Sequence, residues 1–282
     1  MPRCRRRHGR GRVAVTVAAP RHRRLAGGPA RPEPRRRPGL GGRPVGAQAG
    51  GAVTPPTRTA TVALSVEALL HQWARQSAAP AGAAVVADTE IAARRRGGTE
   101  WRTADAVAVS VLARPAALDP SMVDVGWAAA SLAAARALDA CRGGHRSCLW
   151  PDRIECEPED GLDVAVSSAC TLGPGRVEFA ALTVRVGPVV PAEERSRITG
   201  ELLTHLRDLA SGLDDPASVL DAYRDRCSTL GQTVELRMLP HGSMRGVAAD
   251  IDDAGGLVLA SPTGLREQIA VASINEVRLL PE

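Results

Sequence analysis

Regular apolar spacing begins at Val66, and the residues before it carry no pattern that predicts a core. Residues 1–58 alternate Arg runs (Arg5, Arg6, Arg7; Arg35, Arg36, Arg37) with Pro and Gly and contain no Phe, Trp or Tyr. Such a composition buries too little surface to offset chain entropy, which predicts a disordered tail. Beyond it, Leu69, Leu70, Trp73 and Ala74 fall at helical spacing, and Ala83 to Ala87 form a short apolar run after the Pro80 to Gly82 breaker. Helix, turn and strand follow one another there.

The same reading continues downstream. Ala106 to Ala113 reads as a buried strand ended by Arg114 and Pro115, and Val125 to Ala140 as a long Ala-rich helix. Leu162 to Val166 and Val177 to Val186 are strands around the Gly173-Pro174-Gly175 turn. Pro191 to Leu209 and Pro216 to Cys227 are helices, the first with Glu193 and Glu194 placed to complement its dipole. This mixed order predicts an α+β domain. After it come five short strands, Thr233 to Leu239, Met244 to Ile251, Leu257 to Ala260, Glu267 to Val271 and Val277 to Leu280. Turns at Pro240 to Gly242, Asp252 to Gly256 and Ser261 to Gly264 separate them, which predicts a small SH3-like barrel.

Composition narrows the function classes. No run approaches the roughly 18 apolar residues of a membrane-spanning helix, so no membrane role is expected. Val13 to Ala19 has only a faint signal-peptide character and is followed by Arg21, Arg23 and Arg24. The six Cys have no framework spacing, and a reducing cytoplasm is the expected compartment. Cys141, His145, Cys148 and Cys156 fit no standard zinc spacing, so no metal site is expected, and no G-x-S-x-G elbow marks a hydrolase. Charge is split: residues 1–50 hold fourteen Arg against the single acid Glu33, while the remainder holds twenty-two Arg against thirty acids. Nucleic acid is thus a partner only through the tail, by phosphate contacts. All 36 basic residues are Arg; the chain has no Lys.

Tyr223-Arg-Asp-Arg-Cys227-Ser-Thr-Leu-Gly231, followed by the small strands with Gly246 to Ile251 and Asp252 to Gly256, resembles the C-terminal domain of the biotin protein ligases. The likeness extends over residues 62–282. Val85 to Asp88 running into Ala92-Ala-Arg-Arg-Arg-Gly-Gly98-Thr-Glu-Trp101 resembles that family's strand and G-R-G-R-R-G-R-x-W loop. Val109 to Pro115 resembles its L-S-V-L-L-R-P strand, and Leu149-Trp150-Pro151-Asp152 its K-W-P-N-D segment.

The resemblance implies a catalytic domain related to class II aminoacyl-tRNA synthetases over residues 59–228 and an SH3-like domain over 229–282. It implies biotin and ATP with Mg as ligands, formation of biotinyl-adenylate, and transfer of biotin to a Lys of the biotin carboxyl carrier domain of a biotin-dependent carboxylase. It assigns ligand contacts to Ser65, Glu90, Arg94, Arg95, Arg96 and Trp150, with Glu90 standing where a Gln touching biotin is expected. An anionic carboxylate must attack an anionic phosphate, so such a site needs fixed positive charge. Here the catalytic Lys position is Leu149, the K-L-A-G motif appears as Asp163-Val-Ala165-Val, and G-I-G-I-N-V as Ala181-Leu-Thr-Val-Arg185-Val. No catalytic residue is intact, and weak or absent adenylation is expected. Two alternatives stand beside this: a non-catalytic homologue binding biotin, a carrier domain or another partner, and an interaction protein whose Arg-rich tail binds nucleic acid.

Overall fold

The computed structural model describes residues 54–281, apart from 78, 99, 102–104 and 190. The Arg-rich tail lies outside the described residues up to position 53. The described residues belong to one compact unit.

Its first sheet has five strands: β1 (Thr57–Ala63), β2 (Ala84–Glu90), β3 (Val107–Ala113), β6 (Asp163–Gly173) and β7 (Arg176–Gly187). A two-residue hairpin, β4 (Cys148–Leu149) and β5 (Arg153–Ile154), precedes the last two. The strand order is β1-β2-β3-β7-β6, with β1 and β2 parallel and every other pair antiparallel. Helix α1 (Val66–Ser77) makes the crossover between the parallel strands and covers one face, where Val66, Leu70 and Trp73 meet Val85, Leu112 and Phe179.

Helices α2 (Val125–Arg142) and α3 (Ala192–Gly212) cover the other face. Ala is the best helix former, and in α2 it also lets neighbours approach closely on every side. The stretch Ala128 to Ala135 is buried throughout, as a helix apolar all round must be. In α3 the buried residues Ile198, Leu202, Leu206 and Leu209 follow helical spacing, while Glu193 and Glu194 sit in the first turn. A short helix, α4 (Pro216–Arg224), starts from the Asp215 cap, whose carboxylate accepts the Ser218 N–H.

The C-terminal sheet contains β8 (Thr233–Met238), β9 (Ser243–Ile251), β10 (Leu257–Ala260), β11 (Arg266–Ile269) and β12 (Ile274–Leu279), ordered β11-β10-β9-β8-β12 and antiparallel. Alternation puts Val234 and Leu236 inside and leaves Glu235 and Arg237 on the outer face, as the period of two requires. This is the small SH3-like sheet expected from the turn spacing.

Three elements differ from the sequence reading. Strand β1 begins at Thr57, inside the stretch that composition assigned to the tail; as an exposed edge strand it shows no apolar alternation. Strand β6 runs to Gly173 rather than Val166, because Ser167, Ser168 and Thr171 look polar while pairing fully with β7. The β4–β5 hairpin is too short to leave a pattern.

Candidate functional site

The loop after β2, the β4–β5 hairpin, the start of β6 and the edge strand β12 surround a cleft of about 740 Å³. Among the residues assigned to ligand contact, Arg95, Arg96 and Trp150 line it, together with Leu149 at the family Lys position. Glu90, Arg94 and Ser65 are not among its lining residues.

The Arg triplet does not act as one patch. Arg94 folds back on its own loop, donating from Nη1 to the Gly98 carbonyl at 2.8 Å. Arg95 pairs with Asp163, whose Oδ2 also accepts the Trp101 indole N–H at 2.9 Å. Arg96 donates from Nη1 to the Ile274 carbonyl of β12 at 2.5 Å and lies 3.4 Å, through Nε, from Asp152 Oδ2. The two carboxylates, at positions that the resemblance aligns with Lys and Asn, thus pair with two of the four Arg that line the cleft, Arg153 and Arg278 being the others. Across from them Arg278 is held by Glu276 at 2.9 Å.

Deeper in the fold, Glu90 at the end of β2 meets Arg185 near the C-terminal end of β7. Arg185 donates from Nε to Glu90 Oε2 at 2.5 Å and from Nη2 to Oε1 at 3.1 Å. The side chains are 3% and 1% exposed, respectively. Glu90 Oε1 also accepts the Val66 N–H at the start of α1, at 2.9 Å. The third arm of Arg185, Nη1, reaches Ser167 Oγ at 3.1 Å, and Ser167 donates to Glu67 at 2.7 Å. The ligand-contact position of the resemblance is therefore a closed ion-pair network. Motif reading places Arg185 at the Asn of G-I-G-I-N-V but not as the partner of Glu90, although one signal marks it. A lone Arg between Val184 and Val186, on a strand flanked by two others, needs a buried partner.

Ser65 and Trp150 have structural work of their own. The Ser65 hydroxyl accepts the Ala68 N–H at 3.3 Å, and its carbonyl accepts the Leu69 N–H, so it caps α1. Trp150 is 2% exposed, and its indole donates to the Gly255 carbonyl at 3.1 Å. It fastens the hairpin to the C-terminal sheet.

Biotin and ATP can be tested against these side chains. A neutral bicyclic head would need the donors and acceptors that Glu90 and Arg185 spend on each other, and a triphosphate would meet Asp152 and Asp163 where cations are required. The residues present do not fit either group. Among the described residues no three His, Cys, Asp or Glu gather as a metal site. The cysteines of the candidate cluster are free; burial and the neighbouring Cys227 push the Cys148 thiol up to about 12, which keeps it protonated.

Residues 229–274 match the family described as the biotin protein ligase C-terminal domain. No curated protein matches the sequence. Solved structures similar to the chain include the biotin protein ligase from Aquifex aeolicus in complex with biotin and ATP, with a TM-score of 0.61, 14% identity, and coverage of 80% of this chain and 99% of that one. The biotin protein ligase from Leishmania major in complex with biotin aligns with a TM-score of 0.51 and 16% identity over 77% and 99% of the two chains. The biotin acetyl coenzyme A carboxylase synthetase from Helicobacter pylori with bound biotinylated ATP gives 0.52 and 12% over 76% and 99%. The chain thus has the biotin protein ligase fold and carries that family's C-terminal domain at residues 229–274.

Proposed function

We propose that this protein is a non-catalytic homologue of the biotin protein ligases, a binding module that keeps the fold without the adenylation chemistry. One observation carries the reading: three Arg in the segments that resemble the family's motifs are each engaged by a carboxylate of the same chain, Arg95 by Asp163, Arg96 by Asp152 and Arg185 by Glu90. Preorganised positive charge aimed at the reacting phosphate supplies much of the rate in such chemistry, and loss of one donor costs on the order of a hundredfold to a thousandfold. Leu149 provides neither charge nor donor. A swing of Arg95 or Arg96 into the Leu149 position would have to break an ion pair first.

The test is biotin-dependent pyrophosphate exchange by the wild type and by Leu149→Lys. Silence of the wild type is the expected result, and turnover near ordinary enzyme rates, about 1 per second or more, would overturn the reading. What the module binds follows from the family: its partner is a carrier domain resembling the biotin carboxyl carrier domain of a carboxylase. Calorimetric titration of the full chain with a purified carrier domain lacking biotin checks this, and absence of heat would remove that partner.

A further inference from the structure

We propose that the Arg185 guanidinium is a built-in occupant of the ligand site, a side-chain mimic of biotin's ureido ring that keeps the vitamin out. The inference rests on the non-catalytic reading above and goes further, from lost chemistry to lost recognition.

A ureido ring is a planar N–C–N unit with two N–H groups flanking one carbon. A guanidinium offers the same planar N–C–N unit and donates in a rigid fork. Glu90, at the position where the resemblance puts a side chain touching biotin, accepts both arms of that fork, at 2.5 and 3.1 Å. The carboxylate's remaining capacity goes to the Val66 N–H, and the guanidinium's third arm goes to Ser167, which is itself tied to Glu67. Each nitrogen of the guanidinium and both oxygens of the carboxylate are thus engaged within the chain, and exposures of 3% and 1% leave solvent little access. A ligand would have to displace a charged side chain anchored near the end of β7 and leave Glu90 buried with a neutral partner, which is strongly unfavourable. The network also ties β2, β6, β7 and the start of α1 together.

The test uses the full chain and three probes: biotin, ethylguanidinium and ethylammonium. Calorimetry of the wild type with biotin should give no heat; saturable binding would overturn the proposal. In Arg185→Ala, ethylguanidinium should raise the melting temperature by several degrees while ethylammonium at equal concentration does not, because only the former carries the planar fork. Equal responses, or none, would reduce Arg185 to a structural counter-charge and overturn it. Should Arg185→Ala fail to fold, Glu90→Gln combined with Arg185→Ala leaves no buried lone charge. That variant should take up 2-imidazolidinone, a bare ureido ring, and its failure to do so would again overturn the mimicry. Wild type that binds biotin without pyrophosphate exchange overturns this inference alone; exchange overturns the non-catalytic reading as well.

Discussion

Single residues decide the chemistry. A chain whose Lys and Arg positions are all Arg has no compact side-chain ammonium, and Arg engages carboxylates in forks instead. At 1% and 3% exposure the Glu90–Arg185 pair is deep enough that each partner depends on the other. Replacing Arg185 alone by Leu should destabilise the protein by about 3–5 kcal/mol, because it leaves an uncompensated buried carboxylate. Replacing both, Glu90→Leu with Arg185→Leu, should be far milder, within about 1–4 kcal/mol of neutral and on the stabilising side where packing permits. Urea unfolding of the two variants checks the contrast, and equal losses would refute the burial argument. The buried thiols give a second residue-scale outcome. With its thiol pushed up to about 12, Cys148 should resist iodoacetamide at pH 8 in the native protein and react once unfolded, as read by mass spectrometry.

Among the elements, α2 is the one whose sequence and packing agree most closely. Its Ala-rich stretch is enclosed on several sides: α3, α4, β6 and β7 all pack on it, and Ala128 to Ala135 are buried. Ala133→Leu, at a fully buried position, should cost about 1–3 kcal/mol through overpacking. Arg136→Ala on the same helix should stay within about 0.5 kcal/mol, since its contact with Asp208 at 3.8 Å is exposed. Denaturant midpoints for the pair of variants separate helix propensity, which both preserve, from packing, which only one disturbs. Strand β1 behaves in the opposite way: its residues are mostly exposed, and only backbone pairing with β2 makes it a strand.

At the scale of the whole molecule, the two sheets are joined by a few polar clasps around the α2 start and the β4–β5 hairpin. Asp124, just before α2, accepts the Val271 N–H at 2.8 Å, Trp150 holds the Gly255 carbonyl, and Arg224 holds the Ile251 carbonyl at 2.7 Å. Gly255 is required there by its positive φ of 91° and by the Asp124 backbone, which a Cβ would meet at 2.9 Å. Burial, partly offset by the Val271 N–H and reinforced by Asp252, raises the Asp124 carboxyl above its ordinary 3.8. A raised carboxyl favours the folded state when protonated, so its contribution is full below the ordinary value and is lost as pH rises through the raised one. Asp124→Asn keeps an acceptor for Val271 and removes the charge. Its stability relative to wild type should therefore improve as pH climbs from about 4 towards 7, measured as urea midpoints across that range; a constant difference would show that the charge is not penalised.

The sequence by itself determined most of the secondary structure and the presence of the C-terminal module. The helices and most strands were legible because burial on one face imposes a period on the chain: Val66, Leu70, Trp73 and Ala74 in α1, with Leu69 left exposed, Ile198 to Leu209 in α3, Val234 and Leu236 in β8. The same logic explains what was hidden. Strand β1 buries almost nothing on either face, and the polar half of β6 faces partners that are not its sequence neighbours, so neither leaves a period to read. Of the site, Leu149 in place of Lys and the carboxylate at Glu90 were visible in the motifs, but what those substitutions do was not. Arg185 lies 95 residues from Glu90, and Arg95 lies 68 from Asp163; sequence shows each charge without its partner. Only the folding of β7 against the end of β2, and of the loop against the start of β6, decided which charges meet. An ion pair's energy depends on distance and burial, and those are properties of the packed chain rather than of its order.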